Sequence, residues 1–287
     1  MPGLSDNEAR SAPRYDAAAP EVIDGIRSLH ERMDDLHRLI SSLQADGTHA
    51  GEWLERAAVR ERAALPAWRR RTEGEARWPV AVITAVAIAL QVAVPGKLVL
   101  IRPVWIFPAV QGLLLIVLVA ANPHRINRES RIRRWLSLVL GAMLSLANGY
   151  SVVLLAIGIT QGTMGQKASQ LLITGGVIWV TNVIAFGLWY WEFDRGGPVA
   201  RALNTGNRYP DFQFVQMISP ADMVPPEWEP TFLDYLYLAF TNASAFSPTD
   251  VMPLSRWAKV AMTVQSVISI VTVALVVSRA VNILPGS

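Results

Sequence analysis

Near its C-terminal end the chain gathers Thr241, Ser244, Ser247, Thr249 and Asp250 within a short stretch, with Phe246 among them. Hydroxyls at such spacing can replace part of a cation's hydration shell, and a carboxylate at a mouth concentrates cations. An aromatic side chain in the same stretch can act as an apolar constriction that gates by dewetting. This is the chemistry of ion passage rather than of bond making. Pro248, with φ held near about −65°, and the absence of glycine argue against a potassium-type filter, whose carbonyls need unusual backbone angles.

Residue types suited to covalent or acid–base catalysis are scarce. The sequence has 0 cysteines, which excludes disulfides, thiolate metal sites and a cysteine nucleophile. His30, His37, His49 and His124 all lie outside the apolar runs, so no imidazole metal site is expected within them. Zinc-hydrolase, nucleophile-elbow and phosphate-loop signatures are missing, and no apolar run holds paired carboxylates. The expectation is a protein that is not an enzyme and needs no cofactor and no metal.

Two helices must position the hydroxyl-rich stretch. Residues Phe232 to Ala280 read FLDYLYLAFTNASAFSPTDVMPLSRWAKVAMTVQSVISIVTVALVVSRA: a short apolar helix, a Ser/Thr/Pro turn and a long apolar helix. In outline this resembles the pore helix, filter and inner helix of tetrameric cation channels, with Thr241, Ser244 and Asp250 near the places of the filter pattern T-x-x-T-x-G-Y-G-D. The resemblance covers about 50 of the 287 residues and lacks the filter glycines. D-Y-L-Y-x-A-F-T, followed by S-x-T-D and an apolar helix ending near Asn282, is also similar to an uncharacterised family of bacterial integral-membrane proteins. The first resemblance implies a weakly selective pore formed by oligomers and passing monovalent cations. The second implies a bacterial inner-membrane location. The alternative from a different class is a non-conducting oligomeric scaffold or regulator, in which the turn simply joins two packed helices.

An apolar fraction of 52% and several apolar runs near twenty residues predict an all-α polytopic transmembrane bundle. Candidate spans are Trp78 to Val94, Trp105 to Ala121, Trp135 to Ile159 and Leu171 to Trp191, bounded by Trp and Tyr as at a lipid–water interface. Polar residues within the apolar helices are neutral, among them Gln91, Gln111, Asn148, Asn182, Gln265 and Ser269, and amides of this kind commonly join helices. Proton coupling is disfavoured, because no span carries an ionisable residue at its middle.

Before the spans come three segments. Residues 1–20 read as a disordered tail. Residues 21–45 read as a cytoplasmic coiled-coil helix with a seam of Val22, Ile26, Leu29, Met33, Leu36, Ile40 and Leu43, spaced alternately four and three apart. Such a seam implies a homo-oligomer; an amphipathic helix lying on another part of the chain is the alternative. Residues 46–77 form an amphipathic juxtamembrane segment, whose Arg69, Arg70 and Arg71 suit anionic lipid.

The net charge is only +3, and the arginines cluster beside apolar runs, so membrane lipid and topology account for them and no nucleic-acid partner is expected. The Arg69–Arg71 cluster and the loop carrying Arg125 to Arg134 both predict a cytoplasmic side, with the N-terminus inside. Residues 192–231 are too long and too rich in Pro, Gly and aromatics for a plain connector, and are expected at the interface or as a cover over the helices. In the module of residues 232–287, a full crossing by Phe232 to Phe246 gives six spans, and a re-entrant course gives five.

Overall fold

The computed structural model describes residues 29–38, 40–41, 65–121, 131–164, 167–247 and 250–283. It is 72% helical with almost no strand. The chain divides into Met1–Ala64 and Leu65–Ser287. In the first unit residues 29–38 and 40–41 are helical, and Leu29, Met33, Leu36 and Ile40 are all exposed. Their spacing of four, three and four places them on one face of that helix. Val22, Ile26 and Leu43 of the expected seam lie outside the described residues, as do the expected tail 1–20 and most of 46–77.

The second unit contains α1 (Trp78–Ala93), α2 (Ile106–Ala121), α3 (Arg131–Thr160), α4 (Ala168–Phe193), a short α5 (Pro198–Leu203), α6 (Phe232–Ala245) and α7 (Arg256–Ile283). Two short strands, β1 (Phe212–Gln213) and β2 (Met252–Pro253), pair antiparallel with Phe212 opposite Pro253. Proline stands in the first turn of α1 and of α5, where its missing N–H costs nothing.

Among the described residues, three helical runs are long and apolar enough to cross a membrane: α3, α7, and α4 with its continuation to Leu203. With 16 residues each, α1 and α2 are about 24 Å long, less than a hydrocarbon core of about 30 Å. At 14 residues, or about 21 Å, α6 is shorter still.

The central helix is α4, which packs against α1, α3, α6 and α7. Two glycines let its neighbours approach. A Cβ on Gly187 would stand 3.2 Å from the Leu236 Cα of α6, and one on Gly175 would stand 2.7 Å from Val276 of α7. Across the bundle the neutral polar side chains join helices. Gln91 donates to Gln111 at 2.7 Å, Asn148 to Asn182 at 3.4 Å, and the Trp179 indole to Ser269 at 2.7 Å. In an apolar medium each such bond contributes about 0.6–2 kcal/mol, so the set fixes rotation and register more than it adds stability.

Candidate functional site

The candidate site is the α6–turn–α7 module, and the direction of its helices decides what it can do. The Gln265 side chain donates to the Ala239 carbonyl at 2.8 Å, and the Ser269 hydroxyl to the Ala243 carbonyl at 2.6 Å. Both bonds join residues 26 apart, so α6 and α7 run parallel. The chain therefore returns between them to the end from which α6 started. At that end Leu254 N–H donates to the Asp211 carbonyl at 2.8 Å and β2 pairs with β1. There too Trp257, at the start of α7, donates to Asp211 at 2.7 Å, and Phe193, at the end of α4, meets Trp257 edge-on. Residues 232–247 thus run into the bundle, and by β2 the chain is back at the end from which α6 started.

The N-terminus of α6 is fixed by its own sequence. Thr231 and Asp234 form a capping box, the Asp234 carboxylate accepting from the Thr231 backbone N–H at 2.8 Å. The far end stops at Phe246, whose φ of 58° places a non-glycine residue in the left-handed C-cap conformation. Further along α6, Asn242 donates to Gln265 at 2.7 Å and to the Met262 carbonyl at 3.0 Å. Gln265 also accepts from the Tyr190 hydroxyl of α4 at 2.7 Å. This buried triad locks three helices together.

The sequence-predicted site residues fall into two groups. Thr241 is buried, and its hydroxyl donates to the Leu238 carbonyl one turn back, at 3.0 Å. Ser244, Phe246, Ser247 and Asp250 are each exposed, the first at the end of α6 and the others just after it. The Ser244 hydroxyl donates to the Phe240 carbonyl at 2.8 Å, so its oxygen keeps acceptor capacity. Thr249 lies outside the described residues. Of the basic triplet, Arg69 and Arg71 are exposed and Arg70 is half-buried; the Arg69 guanidinium sits over the Trp68 ring, 4.4 Å from its centre.

Below the start of α6 lies a feature that sequence reasoning missed, a sealed cluster of charges. Asp194 is fully buried and accepts from the Tyr235 hydroxyl at 2.5 Å and from the Asp211 backbone N–H at 2.8 Å. Asp211 in turn accepts from the Arg195 backbone N–H at 3.0 Å. Arg195 reaches the Trp68 carbonyl at 2.5 Å, while Arg201 donates to the carbonyls of Trp191 at 2.6 Å and Asp194 at 3.0 Å. The Glu75 carboxylate accepts from the Trp191 indole and from the Phe232 backbone N–H, and pairs with Arg201 at 3.7 Å.

Burial pushes the Glu75 pKa up, against the opposing pull of Arg201 and of its two hydrogen bonds. The cluster clamps residues 192–211 onto the ends of α1, α4 and α6. Phe212 and Phe214 cover it, packing on Tyr190, Tyr235 and Trp257. The one local hint in the sequence was the run of Glu192, Asp194 and Arg195 directly before Gly196, Gly197 and Pro198, a charged end followed by a sharp turn.

Comparison with protein-family models, with curated proteins and with solved structures gives no match for this chain.

Proposed function

We propose that the chain is a multi-pass membrane protein with its N-terminus in the cytoplasm, and that in an oligomer its α6–turn–α7 module forms a weakly selective cation pathway. The observation that carries this reading is that α6 runs parallel to α7 with the chain back at the starting end of α6 by β2, and that Ser244, Phe246, Ser247 and Asp250 are each exposed at the end of α6 or just after it. A short helix, an extended return and a long crossing helix are the parts from which a pore lining is assembled around a symmetry axis. On this reading α1 to α4 and α7 cross while α6 re-enters, giving five crossings and an outward C-terminus. The positive-inside rule puts α6 on the cytoplasmic side, because Arg77 at the start of α1 and Arg131, Arg133 and Arg134 at the start of α3 share the end where α4 finishes. The exposed seam of Leu29, Met33, Leu36 and Ile40 supplies a means of bringing protomers together.

A second reading, a non-conducting oligomeric scaffold, is favoured by the inward direction of the module's amides. Asn242 and Gln265 bond within the protomer, so α6 is fully explained as a packing element. Purified protein in liposomes, assayed for potassium and sodium flux beside empty vesicles, separates the two. Flux above the control supports the pathway, whereas intact oligomers with flux equal to the control leave the scaffold.

A further inference from the structure

At the end of the bundle where α4 begins, away from the start of α6, a cavity of about 400 Å³ opens between the α1–α2 connection, the end of α3 and the first turns of α4. That is the size of a small-molecule site. Local structure holds each wall. Leu98 is fully buried, its N–H donating to the Pro95 carbonyl at 2.8 Å and its carbonyl accepting from the Ser151 hydroxyl at 2.9 Å, so the connection folds down against α3. Past the end of α3, the Met164 N–H and the Thr163 hydroxyl both donate to the Gly158 carbonyl, at 2.9 and 3.3 Å, and Gly162 makes the turn with a φ of 70°. On the third side α4 starts after Lys167 with no side chain capping its first N–H groups.

The lining changes with depth. Lys97 and Lys167 are exposed at the rim, while Leu98, Leu155, Leu171 and Thr174 are buried below. Thr174 lies two turns into α4 from Lys167, about 10 Å down. It is 6% exposed, and among the described residues its hydroxyl has no hydrogen-bond partner. The hydroxyls of Thr160, Thr181 and Thr272 each bond back to a carbonyl of their own helix instead. A buried donor left in this way is costly until an acceptor reaches it.

This end of the molecule also has one sign of charge. Residues 94–105 and 160–167 carry Lys97, Arg102 and Lys167, and residues 279–283 carry Arg279; none of the three stretches contains an Asp or Glu. Ala280 packs in one apolar cluster with Leu98 and Leu171, which brings the third stretch to the same end. Two ammonium groups and an uncapped helix N-terminus set a positive field over an apolar shaft with one free hydroxyl at depth. That combination selects a molecule anionic at one end, apolar in the middle and oxygen-bearing at the other.

We infer that this cavity binds a small organic carboxylate, its carboxylate at the rim between Lys97 and Lys167, its carbon chain between Leu98, Leu155 and Leu171, and a far oxygen accepting from the Thr174 hydroxyl. The site goes beyond the proposed cation pathway and needs neither conduction nor an oligomer. Cation flux without ligand binding would sink only this inference, and binding without flux only the pathway.

The test titrates the full chain in neutral detergent with 6-hydroxyhexanoate, hexanoate, 1,6-hexanediol and acetate, read by calorimetry. 6-Hydroxyhexanoate should bind at least tenfold more tightly than the diol, which lacks the charge, and than acetate, which lacks the chain. It should bind severalfold more tightly than hexanoate, which lacks the far oxygen. Lys97→Gln/Lys167→Gln, at two exposed positions, should abolish the preference over the diol, and Thr174→Val the preference over hexanoate. Thr174→Met and Leu155→Phe fill the shaft from α4 and from α3, and each should weaken 6-hydroxyhexanoate tenfold. Equal affinity for 6-hydroxyhexanoate and the diol or acetate, an unchanged preference in the lysine variant, or full binding by both shaft-filling variants would overturn the inference. Displacement of 6-hydroxyhexanoate by an equal concentration of dioctanoyl phosphatidylglycerol would assign the cavity to a lipid headgroup and overturn it as well.

Discussion

Gln265 of α7 donates to the Ala239 carbonyl of α6 at 2.8 Å while its own carbonyl accepts from Tyr190 of α4 and Asn242 of α6, both at 2.7 Å. One fully buried amide therefore sets the direction and register of three helices. Gln265→Leu would strand the Tyr190 hydroxyl and one Asn242 donor. It should destabilise the protein by roughly 1–3 kcal/mol, the cost of buried polar groups left unpaired. Thermal unfolding in detergent reads this directly, and a Tm equal to the wild type would show that the triad does not hold the module.

The charge cluster should be more sensitive. Asp194→Ala removes the acceptor of the Tyr235 hydroxyl and the ion-pair partner of Arg195, which lies 3.8 Å away. Breaking a buried pair on one side leaves a charge uncompensated, and a loss of about 3–5 kcal/mol is expected. Limited proteolysis checks where the loss falls. Cleavage should appear first within residues 196–211, the part of the clamped segment beyond α4, and uniform digestion across the chain would contradict that assignment.

Glu75 gives the cluster a pH dependence of known sign. Its folded-state pKa is raised by burial from an ordinary value of 4.5, so the folded protein binds a proton more readily than the unfolded chain. The stability it contributes is fully present below that ordinary value and is lost as pH rises through the raised one. Glu75→Gln should remove this decline: Tm plotted against pH from the ordinary carboxylate range upward should fall less steeply in the variant. Parallel profiles would mean that Glu75 does not titrate in this window.

The α1 to α4 pattern was legible in the sequence because apolar runs bounded by Trp are a local signal. Trp78, for instance, begins both the expected span and α1. The existence of a short helix from Phe232 was legible for the same reason, and Thr231 with Asp234 gives it a local start. The return of the chain to the starting end of α6 stays open in the sequence, as one of two courses for residues 232–246. It depends on Phe212 pairing with Pro253 and on Asp211 holding Trp257, contacts across about forty residues of chain that no periodicity encodes. The buried charges were hidden for a related reason: Glu75 and Arg201 are unremarkable in isolation, and only the fold brings them to 3.7 Å.

The proposed five-crossing topology makes a clean prediction, because the chain has 0 cysteines. Single cysteines at the exposed positions Gln161, Arg208 and Asn282 should be labelled, protected and labelled, respectively, by an impermeant reagent applied to intact cells. Protection at Asn282 with labelling at Gln161 would mean that α6 crosses fully, against its length of about 21 Å. Labelling at Arg208 would invert the whole arrangement.

The last prediction concerns the turn itself. Phe246 is exposed and stands in the left-handed conformation, which glycine takes at little cost, so Phe246→Gly removes the aromatic ring while keeping the C-cap. If the ring narrows a pathway, the variant should raise cation leak into liposomes severalfold over wild type with the oligomer unchanged. Asp250→Asn should do the opposite, lowering potassium and sodium flux alike by removing the charge that concentrates cations at the mouth, with a larger effect at low salt, where screening is weak. The scaffold reading gives a different result for both: wild type and variants would match the empty-vesicle control, and Phe246→Gly would only remove an exposed ring. Opposite shifts from the two substitutions support the pathway, because a general packing defect would move leak in one direction for both.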